Sequence, residues 1–274
     1  MAPTSILFYK DVGHSQEGAQ EVVALFGDKG VFDGPKPVRL LQRLITLANL
    51  QDDSIVLDFF SGSATTGHAL MKSNMESGKR CKFILVQIPE TISEKKKDSG
   101  YATICEIGKE RIRRAGAKIR AELAAKRAKE GLFAQQDAPA LDTGFRVLKL
   151  ASTNMEDVYY QPRDVQQDNL FEQLMNVKGD RTPLDLLFQV MLDLGITLDA
   201  DIRKEEIGGK LVYRVNDTQL VACFEEDCPE AVVEAISRLK PLYAVVREPG
   251  DDATMTNFDE FFKTNSPDTH RRTL

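Results

Sequence analysis

Long apolar runs are absent from this sequence of 274 residues, and so are closely spaced cysteines. No apolar stretch approaches the ~20 residues that a membrane-spanning helix needs, so we expect no membrane span. The first residues, Met1–Thr4, lack the basic start and long apolar core of a secretory signal, so we expect a cytoplasmic protein. The four cysteines form no C-x-x-C pair and have no nearby histidine, which favours free thiols over a metal site.

An excess of basic charge is also absent, because 36 lysines and arginines are set against 42 aspartates and glutamates, for a net charge of −6. This balance argues against a chain wrapped in nucleic acid along its whole length. The basic residues are concentrated between Lys95 and Lys129, whereas the region beyond residue 151 is acidic. A charged helix face is usually only solvated, but this polarity leaves a contact of the basic stretch with DNA phosphates open.

The most informative stretch, from Ser54 to Met71, combines a short apolar run, a turn of small residues and a helix start. Ile55–Leu57 predicts a buried parallel strand that ends at Asp58. Gly62 and its small neighbours would let the backbone approach a ligand closely, and the helix start would offer free N–H groups. This order predicts a nucleotide-type crevice at the edge of an α/β sheet.

Two common phosphate-binding loops do not fit this stretch. A dinucleotide-binding loop needs G-x-G-x-x-G, whereas Gly62 and Gly67 have a different spacing. A P-loop needs a lysine before its final serine or threonine, and the turn has none. Two alternatives stay open: a strand–helix turn that binds nothing, and a Rossmann-like enzyme that uses another nucleotide.

The flanking segments predict further elements of an α/β domain. They are a strand at 5–9, a helix at 17–26, a helix that begins near 37, a buried strand at 82–88, a long helix at 101–130 and a strand at 145–150. The helix near 37 is predicted to bury Leu40, Leu41, Leu44, Ile45 and Ala48. The long helix is predicted to bury one apolar face and to expose its basic residues on the other.

The region from 151 onward predicts a separate, smaller α/β domain, after a linker at 134–139. Its predicted elements are a helix at 183–194, a hairpin of strands at 210–215 and 219–224, a helix at 229–239, a strand at 241–246 and a helix at 257–263. This region contains no catalytic cluster, and its acidic surface favours protein contact or simple solvation. The predicted domains are therefore 1–150 and 151–274.

Five motifs follow one another along the first half of the chain. They are F-x-x-P-K-P at 32–37, D-F-F-x-G-S-x-T-T-G-H-A at 58–69, K-F-I-L-V-Q-I-P-E at 82–90, G-Y-A-T-I-x-E-I-x-K-E-R-I-R-R-A at 100–115 and D-x-G-F-R-V-x-K-L at 142–150. This series resembles the modification subunits of type III restriction–modification systems. Those proteins are adenine-N6 DNA methyltransferases whose motifs run in circularly permuted order.

The resemblance implies a Rossmann-like S-adenosylmethionine-dependent methyltransferase fold, of which this chain would supply the cofactor half. Lys36 and the loop hydroxyls would meet the methionine carboxylate, and Phe32 and Phe60 would flank apolar parts of the cofactor. The implied cofactor-binding residues are Phe32, Lys36, Pro37, Asp58, Phe59, Phe60, Ser61, Gly62, Ser63, Thr65, Thr66 and Gln87. The implied partners are DNA, through the full-length protein and the helix at 101–130, a restriction endonuclease subunit and a second copy of the chain.

The sequence departs from the family pattern in three ways. Gln87 stands where an acidic residue commonly binds the ribose hydroxyls, and Ala64 stands where the family has glycine. Ala64 would be strained by roughly 1 kcal/mol if its φ must be positive. The catalytic D/N-P-P-Y/F loop is also absent, and the nearest strings, at 137–140 and 227–230, lack its second proline and its aromatic residue.

In the permuted order the catalytic loop precedes the cofactor motifs, so we expect it to lie before Met1 and the chain to correspond to the C-terminal part of such a protein. We therefore expect weak binding of S-adenosylmethionine and no DNA methylation by this chain alone. The alternative is a non-catalytic assembly module that docks a restriction subunit, which Ala64, Gln87 and the acidic C-terminal region favour.

Overall fold

The computed structural model describes residues 6–27, 31–92, 100–130, 141–156, 177–226, 228–247 and 252–274. The chain divides into two compact units, Met1–Phe145 and Arg146–Leu274, so the predicted boundary at 150 lies inside the second unit. Each unit mixes helices and strands, which confirms the prediction of an α/β protein. Among the helices described, none has both the length and the apolar character of a membrane span. The predicted linker at 134–139 lies outside the described residues.

The first unit contains a parallel strand pair flanked by helices. Its elements are α1 (Tyr9–Val12), α2 (Ser15–Phe26), α3 (Val38–Ala48), β1 (Ile55–Phe59), α4 (Thr65–Ser77), β2 (Lys82–Val86) and α5 (Ile104–Glu130). β1 and β2 are parallel, with Ile55 opposite Lys82 and Phe59 opposite Val86. The predicted helices near 17, 37 and 101 and both central strands are therefore confirmed, although α5 begins at Ile104.

Two predicted strands are wrong. In the segment at 5–9, described residues 6–8 have no regular structure and Tyr9 begins α1, whose turn is closed by a 2.8 Å hydrogen bond from Gly13 N to Tyr9 O. Residues 145–150 are also irregular, and there Arg146 donates to the backbone of Leu198 and Ala200. Neither segment pairs with a described strand, and a short apolar run or an apolar alternation alone does not form a strand.

The sheet of the first unit is covered on one face. Phe83 and Leu85 point to α4 and α5 and pack on a buried cluster formed by Ala64, Met71, Ile112, Ala115 and Ile119. The opposite face carries Lys82 next to Ile55 and is otherwise formed by large apolar side chains, whose exposed fractions are Ile55 59%, Leu57 55%, Phe59 67%, Ile84 51%, Val86 45% and Ile88 51%. The prediction of buried strands is therefore wrong, because the helices described in this unit pack on only one face of the sheet.

The apolar stripe of α3 shows the same pattern. Leu44 is 45% exposed and Ala48 is exposed, whereas Leu40, Leu41 and Ile45 are only half-buried. The predicted burial of this stripe is therefore wrong, because the surrounding helices of the unit cover only part of α3.

The second unit contains a sheet with helices on both faces. Its elements are α6 (Pro183–Asp193), β3 (Ile202–Ile207), β4 (Lys210–Val215), β5 (Leu220–Cys223), α7 (Glu230–Arg238), β6 (Tyr243–Val246), α8 (Asp252–Asn265) and β7 (His270–Thr273). The strand order is β3-β4-β5-β6-β7, antiparallel from β3 to β5 and parallel from β5 to β7. Leu220 and Ala222 face α6, whereas Val221 and Cys223 face α7 and α8. The predicted hairpin is confirmed.

Candidate functional site

A turn of small residues joins the end of β1 to the start of α4. Ser61 N donates to Val86 O on β2 at 3.1 Å, and Ala64 N donates to Ser61 O at 2.8 Å. Gly62 has φ = 52° and Ala64, the N-cap residue of α4, has φ = 61°. The position of Ala64 therefore does require a positive φ, at the expected cost of roughly 1 kcal/mol for a residue with a Cβ.

Helix α5 packs directly against this turn, and Gly108 lies at the contact. A Cβ atom at Gly108 would lie 3.4 Å from Gly62 O and 3.5 Å from the Cβ of Ala64. A larger side chain at this position would push the helix away from the turn. The backbone of the turn is thus held between β2 and α5.

Gln87, the residue expected to meet a ribose, supports the turn. Its Oε1 accepts a hydrogen bond from Gly62 N at 2.7 Å, and its Nε2 donates to Ile88 O at 3.1 Å. A carboxamide oxygen has two lone pairs, so one acceptor position is left for a ligand hydroxyl. Gln87 can therefore order the turn and accept one hydrogen bond, but it has no charged bidentate acceptor to offer.

The F-x-x-P-K-P segment reaches the same turn. A Cβ atom at Gly62 would lie 3.2 Å from the ring of Phe32, so the aromatic ring rests directly against the turn. Lys36 is exposed, whereas Pro37 is buried and forms the N-cap of α3. The structure thus brings two of the predicted motifs together and leaves the lysine side chain in solvent beside them.

At the strand end, the predicted residues differ in their availability. Phe59 and Phe60 are 67% and 63% exposed. Asp58 is half-buried, and its Oδ2 accepts a hydrogen bond from Thr66 Oγ1 at 2.5 Å. Thr66 is therefore a support for the carboxylate, whereas both aromatic rings are accessible to a ligand.

The hydroxyls of Ser63 and Thr65 both accept hydrogen bonds from Arg111, a residue that the sequence predicted to face solvent. Arg111 is fully buried, and its Nη1 donates to Ser63 Oγ at 2.8 Å and to Thr65 Oγ1 at 2.7 Å. Burial lowers the pKa of Arg111 to about 10, so its guanidinium stays protonated at neutral pH. The prediction of an outward Arg111 is therefore wrong. Arg111 lies four residues after Ile107 and four before Ala115, both of which are buried, and this spacing was the signal that places it on the buried face of α5.

Glu21 links this arginine to the start of α3, and sequence analysis did not identify it. Its carboxylate accepts hydrogen bonds from Val38 N at 2.9 and 3.2 Å. The Oε2 atom also lies 3.8 Å from Nη2 of Arg111. Burial raises the pKa of Glu21, although the Val38 amide and the arginine both act to lower it.

A cavity of about 140 Å³ opens beside this pair. It is lined by Glu21, Ala24, Leu25, Val38, His68, Lys72, Lys118, Ile119 and Glu122. The Nδ1 atom of His68 is buried and finds no hydrogen-bond partner within the described parts of the chain. Burial, followed by the charges of Arg111, Lys72 and Lys118, lowers the pKa of His68 to about 3, so the imidazole is neutral near pH 7.

The basic face predicted for the long helix is only partly free. Arg113 and Arg114 lie 3.5 and 2.7 Å from Glu110, and Arg120 donates to Thr143. Lys118 is exposed, whereas Lys95–Lys97 lie outside the described residues. The helix therefore offers a smaller cationic surface than its sequence predicts.

Comparison with known proteins identifies the class of protein in which these motifs occur. Residues 5–115 match the DNA methylase family. A stretch of 116 residues is 48% identical to the StyLTI Mod subunit, a type III restriction-modification enzyme of Salmonella typhimurium, covering 42% of this chain and 18% of that protein. The EcoPI Mod subunit of Escherichia phage P1 is 39% identical over 112 residues, covering 40% of this chain and 17% of that protein.

A type II methyltransferase of Klebsiella pneumoniae, M.KpnI, is 33% identical over 96 residues, which are 34% of this chain and 22% of that protein. The predicted resemblance to type III modification subunits is therefore confirmed over about 40% of the chain. The matching stretches span about a fifth of the length of the relatives named here.

Proposed function

We propose that the turn after β1 and the segment at 32–37 form the S-adenosylmethionine site of a type III adenine-N6 DNA methyltransferase with a Rossmann-like fold. The contact between Phe32 and Gly62 carries this proposal, because it joins the two motifs at the carboxyl end of a parallel strand pair. Ligands in open α/β sheets bind at this edge. The match of residues 5–115 to DNA methylases supports the same reading.

The residues around the turn divide into those that would touch the cofactor and those that support them. Phe32 and Phe60 would flank the apolar parts of the cofactor, and Lys36 would meet its carboxylate. Asp58 would accept a hydrogen bond from an N–H or O–H group of the ligand. Gln87 would accept one ribose hydroxyl. The hydroxyls of Ser63, Thr65 and Thr66, by contrast, bind Arg111 or Asp58 and would act as supports.

The chain would not methylate DNA by itself. Adenine-N6 transfer needs a group that accepts hydrogen bonds from the exocyclic amine and an aromatic residue that stacks on the flipped base. The sequence contains no D/N-P-P-Y/F loop that would supply both. The bare apolar face of β1 and β2 supports a fold completed by further polypeptide, because parallel sheets are normally covered on both faces.

Calorimetric titration tests the cofactor site. We expect weak binding of S-adenosylmethionine and none of NAD or ATP, and the bulky substitution Gly62→Val should abolish the signal because it collides with Phe32. Incubation with labelled cofactor and adenine-containing duplex DNA should leave the DNA unlabelled. Binding of NAD instead would select the Rossmann-like alternative, and labelled DNA would refute the assignment of the chemistry to other polypeptide.

A non-catalytic docking module is the second candidate. The left-handed Ala64 and the engagement of Gln87 by the turn both weaken a cofactor site, which is the observation that favours it. Capture of a restriction endonuclease subunit by a chain that gives no heat with S-adenosylmethionine would select this candidate. The acidic second unit would then be the contact surface.

A DNA contact by α5 is a separate part of the proposal. Lys118 and Lys129 are exposed on this helix, so the double substitution to Gln should weaken binding to duplex DNA and reduce its dependence on salt. Salt-dependent affinity that is unchanged in the variant would remove α5 from the DNA surface.

A further inference from the structure

One ion pair, Glu21 and Arg111, connects the start of α3 to the turn at 61–65. Glu21, on α2, holds the start of α3 through the amide of Val38. Arg111, on α5, holds the turn through Ser63 and Thr65. Because Glu21 Oε2 lies 3.8 Å from Arg111 Nη2, the two segments are joined through a single pair of side chains.

This ion pair is expected to add little net stability to the fold. The side chain of Arg111 is 0% exposed and that of Glu21 only 23%, so both charges lose much of their hydration. The Nε and Nη2 atoms of Arg111 have no hydrogen-bond partner in the described parts of the chain. An apolar residue between Ile107 and Ala115 would continue the buried face of α5 without this penalty. The value of the pair therefore lies in where it places its partners.

We propose that Glu21 and Arg111 are positioning residues that set the spacing between the start of α3 and the turn at 61–65, and thereby the width of the methyl-donor site. The effect on the cofactor rests on the proposed function. The coupling between the two segments does not, and it can be measured without any ligand.

The charge of Glu21 gives the site a pH dependence. The groups that face it are Arg111 from α5, Lys72 and His68 from α4, Lys118 and Glu122 from α5, and Glu17 from its own helix. Protonation of Glu21 removes its attraction for Arg111, and burial moves this step above the usual pH of a glutamate. His68 stays neutral in this range, because its pKa is about 3.

Amide hydrogen exchange on the full chain tests the coupling by crossed effects. Glu21→Gln keeps an acceptor for Val38 N but removes the charge, so faster exchange should appear at 61–65, which Glu21 does not touch. Arg111→Met should accelerate exchange at Val38, which Arg111 does not touch. We expect about tenfold faster exchange in each case. Glu17→Gln is the control for exchange at 61–65, because Glu17 lies on the same helix but pairs with Arg39 at the start of α3.

Exchange in the middle of α5 separates positioning from general loosening. If amides at 115–119 accelerate as much as the crossed segments, the pair is only structural and the inference is wrong. If each variant affects only the segment that it touches, the inference is also wrong. Should Arg111→Met fail to fold, Glu21→Gln alone decides, because its amide is isosteric with the carboxylate.

Titration with S-adenosylmethionine from pH 4.5 to 7 adds the functional readout. The wild-type affinity should fall on the acid side, whereas Glu21→Gln should have about tenfold lower affinity at pH 7 and a flatter profile. Arg111→Lys should recover part of the affinity that Arg111→Met loses. Crossed exchange effects without cofactor binding would uphold the coupling and refute the proposed function. Cofactor binding without crossed effects would do the reverse.

Discussion

The two sheets of this protein differ in how completely they are covered. The five-stranded sheet of the second unit has helices on both faces, and its central strand β5 is buried at every position. The two-stranded sheet of the first unit has helices on one face and leaves Leu57 and Phe59 more than half exposed on the other. A parallel pair is rarely stable in this form, because such sheets are normally buried on both sides.

The two units differ in whether the apolar faces of the sheet are covered by side chains of the same unit. In the second unit the apolar side chains of both sheet faces find partners within the unit. In the first unit the side chains that hold the candidate site are on the covered side, whereas the bare side exposes large apolar side chains next to Lys82. The candidate site is thus built on the helix-covered face of a sheet whose other face is exposed.

The largest effect is expected from the core of the second unit. Phe262 on α8 is 0% exposed and packs in the cluster beneath β5 and β6, so Phe262→Ala should lower the free energy of unfolding by ~3–5 kcal/mol. Leu192→Ala is the control, because Leu192 is 62% exposed on α6, and it should cost well under 1 kcal/mol. Urea unfolding followed by circular dichroism measures both. Equal costs would mean that the second unit lacks the complete core described above.

The next effect concerns the covered side of the first unit, through His68. Its pKa is about 3 in the folded protein, below the ordinary value near 6.5, so the unfolded chain binds the proton first. Stability from the neutral imidazole is complete above about pH 6.5 and falls at up to ~1.4 kcal/mol per pH unit below it. Urea midpoints between pH 7 and pH 4 should therefore decline.

His68→Gln isolates this contribution, because it removes the titrating ring and leaves Glu21 unchanged. The variant should lose less stability between pH 7 and pH 4 than the wild type does. Parallel declines in both proteins would place His68 in contact with solvent and would contradict its burial.

Most helices and strands of both units could be predicted from the sequence, but which of their faces are buried could not. The strand–turn–helix at 55–77 and the hairpin at 210–223 follow from short-range signals, namely apolar runs, Gly62 and the turn at Asn216. β3 and β7 were missed because edge strands carry charged residues, as in Arg203, Lys204 and the pair Arg271–Arg272.

Within the candidate site, the same limit applied to side-chain direction. The sequence identified the turn, because small residues and a helix start define it, and the positive φ at Ala64 was only a condition raised by the family's glycine at that position. It did not identify Glu21 or the inward direction of Arg111, because both depend on which faces of α2 and α5 pack together. A charged residue is assigned to solvent by composition, and only its spacing from buried neighbours corrects this.

A smaller effect tests the strain in the turn. Ala64→Gly removes a Cβ at φ = 61°, which should raise the free energy of unfolding by about 0.5 kcal/mol after the loss of the buried methyl contact. Ala117→Gly is the matched control, because Ala117 lies exposed within α5, where the same substitution should lower stability by about 1 kcal/mol. Differential scanning calorimetry should therefore show opposite shifts. Shifts of the same sign would mean that Ala64 is unstrained.

The smallest change in stability is expected where the two sheets differ most. Leu57→Thr and Ile84→Thr together place β-branched polar residues on the bare face, and threonine suits a strand as well as the residues that it replaces. The free energy of unfolding should change by less than about 0.5 kcal/mol, because little buried area is lost. Binding of an apolar dye and self-association in sedimentation runs should both decrease. A loss of several kcal/mol would show that this face is covered in solution, and the contrast between the two sheets would then disappear.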